Sequence, residues 1–550
     1  MSICYARLPL TPLLSLTGKR WHVSSAEAVP SHAIVALLLK QRGLAENCAV
    51  PSSALLPDLP RAVERIRAAC ERKEQVGIFG DYDCDGITGV AQLVRFFERH
   101  GAMPYVILPH RVHDGYGLKP HIVERFAQQG ITLLLTVDTG ITAIREIEQA
   151  RERGMDVIIT DHHHLQAELP AAYAIIHPAL APHFPLPHPS GSGVAHLLVR
   201  ALEENGQWED CATDSALAMI GTIADLVELK GGNRALVCEG LAALNTLDPA
   251  SPLGGLAQGI RAKDRPLTST DIAFRLAPRI NAAGRMEDPT IALTALLHGG
   301  AALSQLEELN VERQHSARTL LEETLTSLSL TAEPSVALPP LLSIAREHFP
   351  EGIIGLIAGK LTEQYGRPSL AAAISDGECT ASLRSTRAYH ITQGLERVSD
   401  LLTSFGGHAQ AAGCTFKVQH LEELQRRLSE DIAARTTPAD LLPALEIDAV
   451  LSPRDLSLSL CEQLRHLEPF GQGNPEPLFL LRNVHMEQPR RVGNEGAHLQ
   501  ARIAGHKTIG FRLGHLFEKT SDMLDIVCKI GIDTWNGRKA VQIVVEDIRA

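Results

Sequence analysis

Three apolar runs in this chain end in acidic side chains, and this feature constrains the fold more than any other. The first run ends with Asp81, Asp83 and Asp85, which occupy every second position. Carboxylates crowded this closely repel one another unless a cation lies among them. A second run ends at Asp138 and a third at Asp161. The sequence therefore predicts three strands that carry acids to one location.

The segments between these runs predict how the strands are arranged. Residues 87–100 and 141–153 carry apolar side chains at helical spacing. Alternation of strand and helix favours right-handed crossovers and a parallel sheet, and ligands collect at the carboxyl ends of the strands in such a sheet. The side chains expected at that edge are Asp81, Asp83, Asp85, Asp138, Asp161, His162 and His163.

This mixture of side chains predicts a metal centre. Carboxylate and imidazole ligands favour Mn²⁺ or Mg²⁺ over metals that prefer thiolates. Many acids with few histidines favour two ions, about 3.5–4 Å apart, as in enzymes that hydrolyse phosphate esters. Simpler interpretations compete with this one. The acidic segment could be a calcium loop, although Gln92 stands where a glutamate closes such loops. Asp138 could cap a helix, and residues 162–164 could be a solvated histidine tract.

Composition is compatible with a large multidomain protein. At 550 residues, of which 45% are hydrophobic, the chain is long enough for several domains with sizeable cores. No uninterrupted apolar stretch could span a bilayer and the N-terminus lacks a signal sequence, so a cytoplasmic protein is expected. The ten cysteines show no Cys-x-x-Cys spacing, which argues against zinc ribbons and a disulfide framework.

The net charge of −12 does not exclude nucleic acid as a partner. Proteins that bind nucleic acid usually attract it with basic side chains. Bound cations neutralise metal-binding acids, however, so the charge that lines the binding groove matters more than the total. The basic residues that could line such a groove are Arg111, Arg261, Lys263, Arg265, Arg275, Arg279 and Arg285.

Six segments resemble the DHH phosphoesterase family, and within it the branch of single-strand-specific exonucleases that carry a second domain, DHHA1. In chain order they are residues 80–86, 137–140, 161–163, 221–225, 279–285 and 406–413. The first four resemble the successive motifs of the DHH domain, which is named after the Asp-His-His triplet of the third. The last resembles the DHHA1 domain. Their order over nearly the whole chain makes the resemblance specific.

The resemblance implies a nuclease with two metal ions. The residues that would hold the ions are Asp81, Asp83, Asp85, Asp138, His162 and Asp225. Asp138 would bridge the ions, with Asp81 and Asp83 on one of them and the remaining ligands on the other. The catalytic set, which includes Asp138 and His162, is completed by His163 and Asp161. His163 would contact the phosphate, and Asp161 would orient the histidines.

The resemblance also implies how a strand is recognised. The residues expected to bind it are Arg111, Arg279, Asn281, Arg285, Ser382, Arg384, Gly407 and His408. The 5′-terminal phosphate would lie between the two domains, in a passage that admits one strand and excludes a duplex. Members of this branch usually carry Gly-Ser-x-Arg-Ser where this chain has residues 381–385, which begin with Ala381. Without that first glycine, a bound group is expected to approach the backbone less closely.

The expected fold class is α/β, in five segments. They are an N-terminal arm (1–55), a parallel-sheet DHH domain (56–235), a helical connector with a long connecting helix (236–330), an α/β DHHA1 domain (331–440) and a C-terminal OB-like β-barrel that binds nucleic acid (445–550). Residues 303–330 have the helical pattern that predicts the connecting helix. Short alternating runs near the C-terminus favour the barrel, and residues 470–475 resemble the segment at its entry. An aromatic content of 4% argues against a platform built on base stacking.

The function implied is a 5′ to 3′ exonuclease that hydrolyses single-stranded DNA to mononucleotides, in DNA repair and recombination. The protein is expected to be a monomer without membrane association, with a single-strand-binding protein or a helicase as candidate protein partners. Two alternatives stay open. A DHH-family phosphodiesterase of short oligonucleotides would share the metal site but has little use for a barrel. A non-catalytic DNA-binding scaffold would not need the metal acids, which are all present here.

Overall fold

The chain forms two compact units. A computed structural model of the protein describes residues 14–24, 28–44, 48–111, 113–203, 210–262, 265–328, 330, 338–519, 523–534 and 538–550. The first unit comprises Gln41–His315 and Pro469–Pro475, and the second comprises Met1–Lys40, Ser316–Glu468 and Glu476–Ala550. Within the described ranges, none of the helices has both the length and the apolar character needed to cross a membrane.

The strands are numbered β1 to β19 in chain order over the described residues. They are Arg20–Val23, Val76–Gly80, Tyr105–Ile107, Leu133–Val137, Asp156–Thr160, Ala174–Ile176, Leu342–Glu347, Ser369–Ser375, Glu378–Arg384, Ser404–Gly407, Ala411–Lys417, Ala444–Ile447, Ala449–Leu451, Phe479–Val484, Glu487–Val492, His498–Ile503, His506–Gly510, Leu524–Asp533 and Ala540–Arg549.

The helices are numbered α1 to α17 in the same way. They are Ser31–Arg42, Leu59–Arg72, Cys84–Arg99, Pro120–Gln128, Ile144–Glu152, Gly191–Leu202, Cys211–Ala224, Gly231–Thr246, Pro252–Ile260, Ser269–Asp271, Ala277–Met286, Thr290–His298, Ala301–Ser327, Glu351–Tyr365, Ile391–Glu396, Leu421–Arg435 and Leu458–Leu464. A π-helical turn, Ile272–Leu276, joins α10 to α11.

A parallel sheet organises the first unit, as the sequence predicts, but it has five strands where the sequence predicted three. Its strand order is β3-β2-β4-β5-β6, and all pairs are parallel. Gly80 pairs with Val137, which in turn pairs with Thr160, so the three central strands end at one level. The structure adds β3 and α4 between the first two predicted strands, in a stretch for which the sequence predicted no elements.

The sheet is buried on both faces, which explains why its strands read as continuous apolar runs. One face packs against a core built from α2, α3, α6 and α7, which includes Ile78 and Leu135. The other face packs against α4 and α5, where Phe126 and Ile147 contact Phe79 and its neighbours. All five residues of β2 and of β4 are buried. The rigid sheet therefore fixes the loops that leave its carboxyl edge.

The second unit contains two larger sheets. One has the order β10-β11-β9-β8-β7, and the other has seven strands in the order β13-β14-β18-β19-β17-β16-β15. Together with the first unit, these sheets confirm the expected α/β class. Helix α13, Ala301–Ser327, runs from the first unit into the second and corresponds to the connecting helix predicted over residues 303–330.

The N-terminal arm and the entry to the barrel belong to units that their positions in the sequence do not suggest. Of the predicted arm, residues 1–13, 25–27 and 45–47 lie outside the described residues, but β1 pairs with β12 in the second unit. The Trp21 indole donates a hydrogen bond to Asp547 at 2.8 Å. The glycine-rich segment Pro469–Pro475, interpreted from sequence as the barrel entry, belongs to the first unit, where Ser269 donates to the Phe470 carbonyl at 2.6 Å.

Candidate metal centre

Acids at the ends of three neighbouring strands meet at the carboxyl edge of the parallel sheet. Asp81 follows β2, Asp138 follows β4 and Asp161 follows β5. These side chains are buried, with relative exposures of 6%, 3% and 1%. Asp138 has a φ of +60°, a left-handed conformation that aspartate tolerates better than most residues. The common level of the strand ends is what brings these acids together.

Asp83 and Asp85 are fixed by the amino ends of two helices. The Asp83 carboxylate caps α3 and accepts hydrogen bonds from the N–H groups of Asp85 (2.9 Å) and Gly86 (3.1 Å). Both carboxylate oxygens of Asp85 accept from the first residues of α6, at 2.7 Å from Gly191 N–H and 3.1 Å from Ser192 N–H. Sequence reasoning missed this second helix, although the Ser-Gly-Ser-Gly segment before an apolar helical run signals it.

His162 lies among three of the acids. Its Nε2 is 3.1 Å from Oδ1 of Asp138, 3.6 Å from Oδ2 of Asp225 and 3.9 Å from Oδ2 of Asp85. Asp225 is contributed by a helix and not by a strand, because it immediately follows α7. Acids from the start of α3, the end of β4 and the end of α7 thus converge on one imidazole.

Asp161 is saturated with hydrogen bonds and orients the neighbouring histidines. Its Oδ1 accepts from the N–H of His162 (2.7 Å) and the N–H of His163 (3.1 Å), and it lies 2.8 Å from Nδ1 of His163. Its Oδ2 accepts from Ile141 N–H at 3.0 Å. The opposite ring nitrogen of His163 lies 3.2 Å from the hydroxyl of Tyr116, a residue that sequence reasoning did not single out.

Crowding and burial perturb the pKa values of these acids. Burial, with repulsion from Asp83, raises the pKa of Asp85 to about 7. Burial, with repulsion from Asp85, raises the pKa of Asp225 to about 9. The pKa values of Asp81 and Asp138 are raised well above their usual range, mainly by burial. The acids therefore resist ionising together unless a cation compensates their charge.

Asp161 and His163 behave in the opposite way because they pair with each other. Burial raises the pKa of Asp161, but the hydrogen bond and charge of His163 and the backbone N–H donors together outweigh it and hold this pKa below its usual range. Burial likewise disfavours the charge of His163, but Asp161 raises the pKa of this imidazole to about 9. The two side chains therefore stabilise each other's charged form.

The donor set fits divalent cations. Three groups of side chains have ligand atoms close enough to share an ion: Asp81, Asp83 and Asp138; Asp85, His162 and Asp225; Asp138, His162 and His163. Buried Oδ1 atoms of Asp81 and Asp138 accept no hydrogen bond from any described residue. Buried carboxylate oxygens without donors are expected where a metal is the missing partner. The first two groups match the ligand sets implied by resemblance, whose division between two ions stays a prediction.

Glycines leave the space in which these acids pack. A Cβ on Gly191 would lie 2.4 Å from both Cβ and Oδ1 of Asp138. A Cβ on Gly221 would lie 2.5 Å from Oδ1 of Asp85, and one on Gly86 would lie 2.6 Å from the Asp81 carbonyl oxygen. These separations are far below van der Waals contact, so the centre has no room for an alanine at these positions.

The predicted strand-binding residues of the first unit have varied surroundings. Arg111 lies over the Tyr82 ring, with 5.0 Å between its guanidinium carbon and the ring centroid. The Asn281 side-chain oxygen accepts from Cys84 N–H at 2.9 Å, at the start of α3. Arg285 contributes to the electrostatic environment of Tyr82. Of the further basic residues considered from sequence, Lys263 lies outside the described residues.

Arg279 is held in an ion pair. Its guanidinium donates to both carboxylate oxygens of Glu307, at 2.6 and 3.1 Å, and to the carbonyl of Arg275 at 2.6 Å. The side chain is only 16% exposed. A phosphate would have to replace Glu307 as the acceptor. Sequence reasoning treated this arginine as available because it could not detect a partner 28 residues away.

The other predicted strand-binding residues lie in the second unit. Arg384 donates to the Ser382 hydroxyl at 2.9 Å, and a Cβ on Gly355 of α14 would lie 3.1 Å from both side chains. Gly407 has a φ of +135° and turns the chain into His408, whose N–H donates to the Ala411 carbonyl at 2.7 Å.

The structure shows where the methyl group of Ala381 lies, at the position where the family usually has glycine. It lies on β9, where alternate residues are buried, and it packs in the core of the second unit. Its neighbour Ser382 points to the opposite face of the strand. The extra methyl group therefore faces the core rather than the surface that carries Ser382 and Arg384.

Comparison with known proteins identifies the family. A model of the DHH family N-terminal domain matches residues 75–224, a DHHA1 domain model matches 339–434, and a model of the RecJ OB domain matches 447–547. The single-stranded-DNA-specific exonuclease RecJ of Thermus thermophilus is 35% identical over 91% of this chain and 72% of its own length. The chain belongs to the RecJ family. It spans 63% of the length of the Bacillus subtilis RecJ, with 32% identity.

Solved structures of RecJ agree with the fold and with the donor set. The crystal structure of RecJ in complex with Mn²⁺ from Thermus thermophilus matches 96% of this chain with a TM-score of 0.82 and 30% identity. The corresponding Mg²⁺ complex matches with a TM-score of 0.76. Those proteins bind Mn²⁺ or Mg²⁺, the ions expected from the carboxylate and imidazole ligands of this chain.

Proposed function

We propose that this RecJ-family protein is a single-stranded-DNA-specific exonuclease that releases mononucleotides from the 5′ end with the help of two Mn²⁺ or Mg²⁺ ions. The observation that carries the proposal is the buried acidic centre, in which Oδ1 of Asp81 and Oδ1 of Asp138 lack a donor among the described residues. Relatives over most of the chain are named for this activity. The proposal extends to a cytoplasmic monomer in DNA repair and recombination, with a single-strand-binding protein or a helicase as partner.

The residues of the metal centre have different roles in the proposed hydrolysis. Bound metal ions would lower the pKa of a water, direct it in line with the phosphorus and stabilise the departing 3′ oxygen. The residues that would hold the ions are Asp81, Asp83, Asp85, Asp138, His162 and Asp225. His163 would contact an oxygen of the reacting phosphate through Nε2, because its Nδ1 is held 2.8 Å from Oδ1 of Asp161. Asp161 thus fixes the ring that makes this contact.

Direction along the strand must come from residues outside the metal centre, since metal ions alone do not distinguish the two ends. The residues to which strand binding is assigned are Arg111, Arg279, Asn281, Arg285, Ser382, Arg384, Gly407 and His408. We assign residues 56–235 to catalysis, 331–440 to capture of the 5′ phosphate and 445–550 to binding of nucleic acid, with the arm and the connector as supports.

Digestion of end-labelled strands tests this direction. With Mn²⁺ present, a 5′-labelled single strand is expected to release its label first, as a mononucleotide. A strand whose 5′ end lies in a blunt duplex should resist, and a single-stranded circle should remain intact. Early release of a 3′ label, or equal cutting of circles and linear strands, would contradict the proposal and favour a general phosphodiesterase. Absence of metal binding by calorimetry, together with absence of hydrolysis, would favour the scaffold alternative.

His408→Ala tests the assignment of the 5′ phosphate to the second unit. The variant is expected to slow cleavage of a 5′-phosphorylated strand about tenfold while binding of long strands changes little, because an imidazole contributes position more than bulk charge. The matched control is His298→Ala, which removes an exposed histidine at the end of α12. Equal effects of both substitutions would argue against a role for His408 at the 5′ end.

The ion pair of Arg279 gives a second test, with its own control. If a phosphate replaces Glu307, then Arg279→Ala should weaken strand binding and reduce the slope of log affinity against log salt by about one. Glu307→Gln removes the competing acceptor and should instead strengthen binding. The measurement is a titration of a fluorescent strand at several salt concentrations. If both variants bound the strand more weakly, the ion pair would stabilise the fold and would not exchange Glu307 for a phosphate.

A further inference from the structure

The loop that joins β3 to α4, residues 108–119, contacts the metal centre at two points. At its start, Arg111 lies over the ring of Tyr82, which stands between Asp81 and Asp83 in the sequence. Further along, the hydroxyl of Tyr116 lies 3.2 Å from Nε2 of His163. The role implied for Arg111 is phosphate binding, but Tyr116 has no role in the proposed function so far.

Two glycines set the backbone on either side of Tyr116. Gly115 has a φ of +72° and Gly117 a φ of +82°, in the left-handed region that favours glycine. A Cβ on either glycine would meet no atom within 4 Å, so backbone conformation rather than packing requires them. Together they let the loop turn immediately before and after Tyr116, which directs this side chain toward His163.

His163 is consequently held at both ring nitrogens. Nδ1 lies 2.8 Å from Oδ1 of Asp161, and Asp161 is itself fixed by the N–H of Ile141 at 3.0 Å. Nε2 faces Tyr116, and the two rings meet edge to face with 5.9 Å between centroids and 63° between planes. The side chain of Asp161 is buried, whereas Tyr116 is 45% exposed. The Asp161 side is therefore rigid and the Tyr116 side can rearrange.

We infer that Tyr116 is a positioning residue for the hydrolysis proposed above: its hydroxyl, 3.2 Å from Nε2 of His163, holds the imidazole at the place where the reacting phosphate binds. The inference rests on the proposed function for the identity of that reaction. Because the hydroxyl and Nε2 lie side by side, a phosphate oxygen bound at this point would contact both groups.

A double-mutant cycle tests whether Tyr116 acts through His163. The proteins are the wild type, Tyr116→Phe, His163→Asn and the double variant, each compared for kcat, KM and Mn²⁺ affinity. Tyr116→Phe keeps the ring contact and removes only the hydroxyl. It is expected to lower kcat about tenfold with unchanged Mn²⁺ affinity, and to have almost no further effect when His163 is already replaced. Tyr105→Phe is the matched control, since this ring packs edge-on against Phe126 with centroids 5.9 Å apart.

A spectroscopic measurement tests the same contact without turnover. In ¹⁵N spectra of the metal-free protein labelled at histidine, the Nε2 signal of His163 is expected to shift in Tyr116→Phe and to stay in place in Tyr105→Phe. An unchanged Nε2 signal, or equal losses of kcat from Tyr116→Phe with and without His163, would overturn the inference. Failure of the wild type to hydrolyse any strand would instead overturn the proposed function, and the Nε2 signal would still decide whether Tyr116 holds His163.

Discussion

Asp138→Asn should abolish hydrolysis and, at the same time, stabilise the metal-free protein. Asp138 belongs to one possible ligand group with Asp81 and Asp83, and the proposal makes it the ligand that the two ions share, so its loss should displace both ions. We expect kcat to fall about a thousandfold or more, on the order of 4 kcal/mol in activation free energy. Asparagine is preferable to alanine here because the residue has a φ of +60°, which asparagine tolerates.

The gain in stability follows from the raised pKa of Asp138. Burial and the nearby acids hold this pKa well above its usual range. A carboxyl with a raised pKa stabilises the folded state least at high pH, because the fold opposes an ionisation that the unfolded chain completes easily. At pH 8 without metal, removal of this acid should therefore raise the melting temperature by a few degrees.

Calorimetric melting with and without Mn²⁺ and a hydrolysis assay measure the two effects. The matched control is Asp376→Asn, which makes the same change at an exposed residue with a φ of +49°. The control should leave both activity and melting temperature nearly unchanged. Normal turnover by folded Asp138→Asn protein would remove the two-metal proposal. A lower melting temperature of Asp138→Asn in the absence of metal would mean that ionised Asp138 destabilises the wild-type fold less than its raised pKa indicates.

The sequence was sufficient to predict the sheet and the acids at its edge. Apolar runs in β2, β4 and β5 alternate with helical segments, and the topology of a parallel sheet then dictates where Asp81, Asp138 and Asp161 meet. These features depend on periodicity and on residues adjacent to the strands. Both are local properties of a sequence, so they can be recognised from the sequence alone.

The supports of the centre could not be predicted in this way. Two hydrogen bonds to Asp85 come from the backbone N–H groups of Gly191 and Ser192 in α6, more than 100 residues along the chain. Backbone donors leave no specific side-chain signature. Tyr116 was missed for a similar reason, because it lies in a loop whose path depends on two glycines. The partner of Arg279 was missed because pairing with Glu307 depends on how α13 packs.

Gly191→Ala is expected to disrupt the metal centre by the addition of a single methyl group. The new Cβ would lie 2.4 Å from both Cβ and Oδ1 of Asp138, so either Asp138 or the start of α6 must move. A shift of the helix would also loosen the two hydrogen bonds that α6 donates to Asp85. Overpacking of this kind costs about 1–3 kcal/mol of stability, and a displacement near 1 Å can cost about a hundredfold in rate.

The outcome for Gly191→Ala should be a loss of Mn²⁺ affinity together with the loss of rate, since metal acids are what the methyl group displaces. Gly259→Ala is the matched control: it lies in α9, and a Cβ there would meet nothing within 4 Å. Because alanine is the better helix former, the control should gain up to about 1 kcal/mol of stability and keep its activity. Calorimetric Mn²⁺ titration and thermal melting of both variants distinguish the two. If Gly191→Ala bound Mn²⁺ as the wild type does, the close packing of α6 against Asp138 could not be what positions the metal acids.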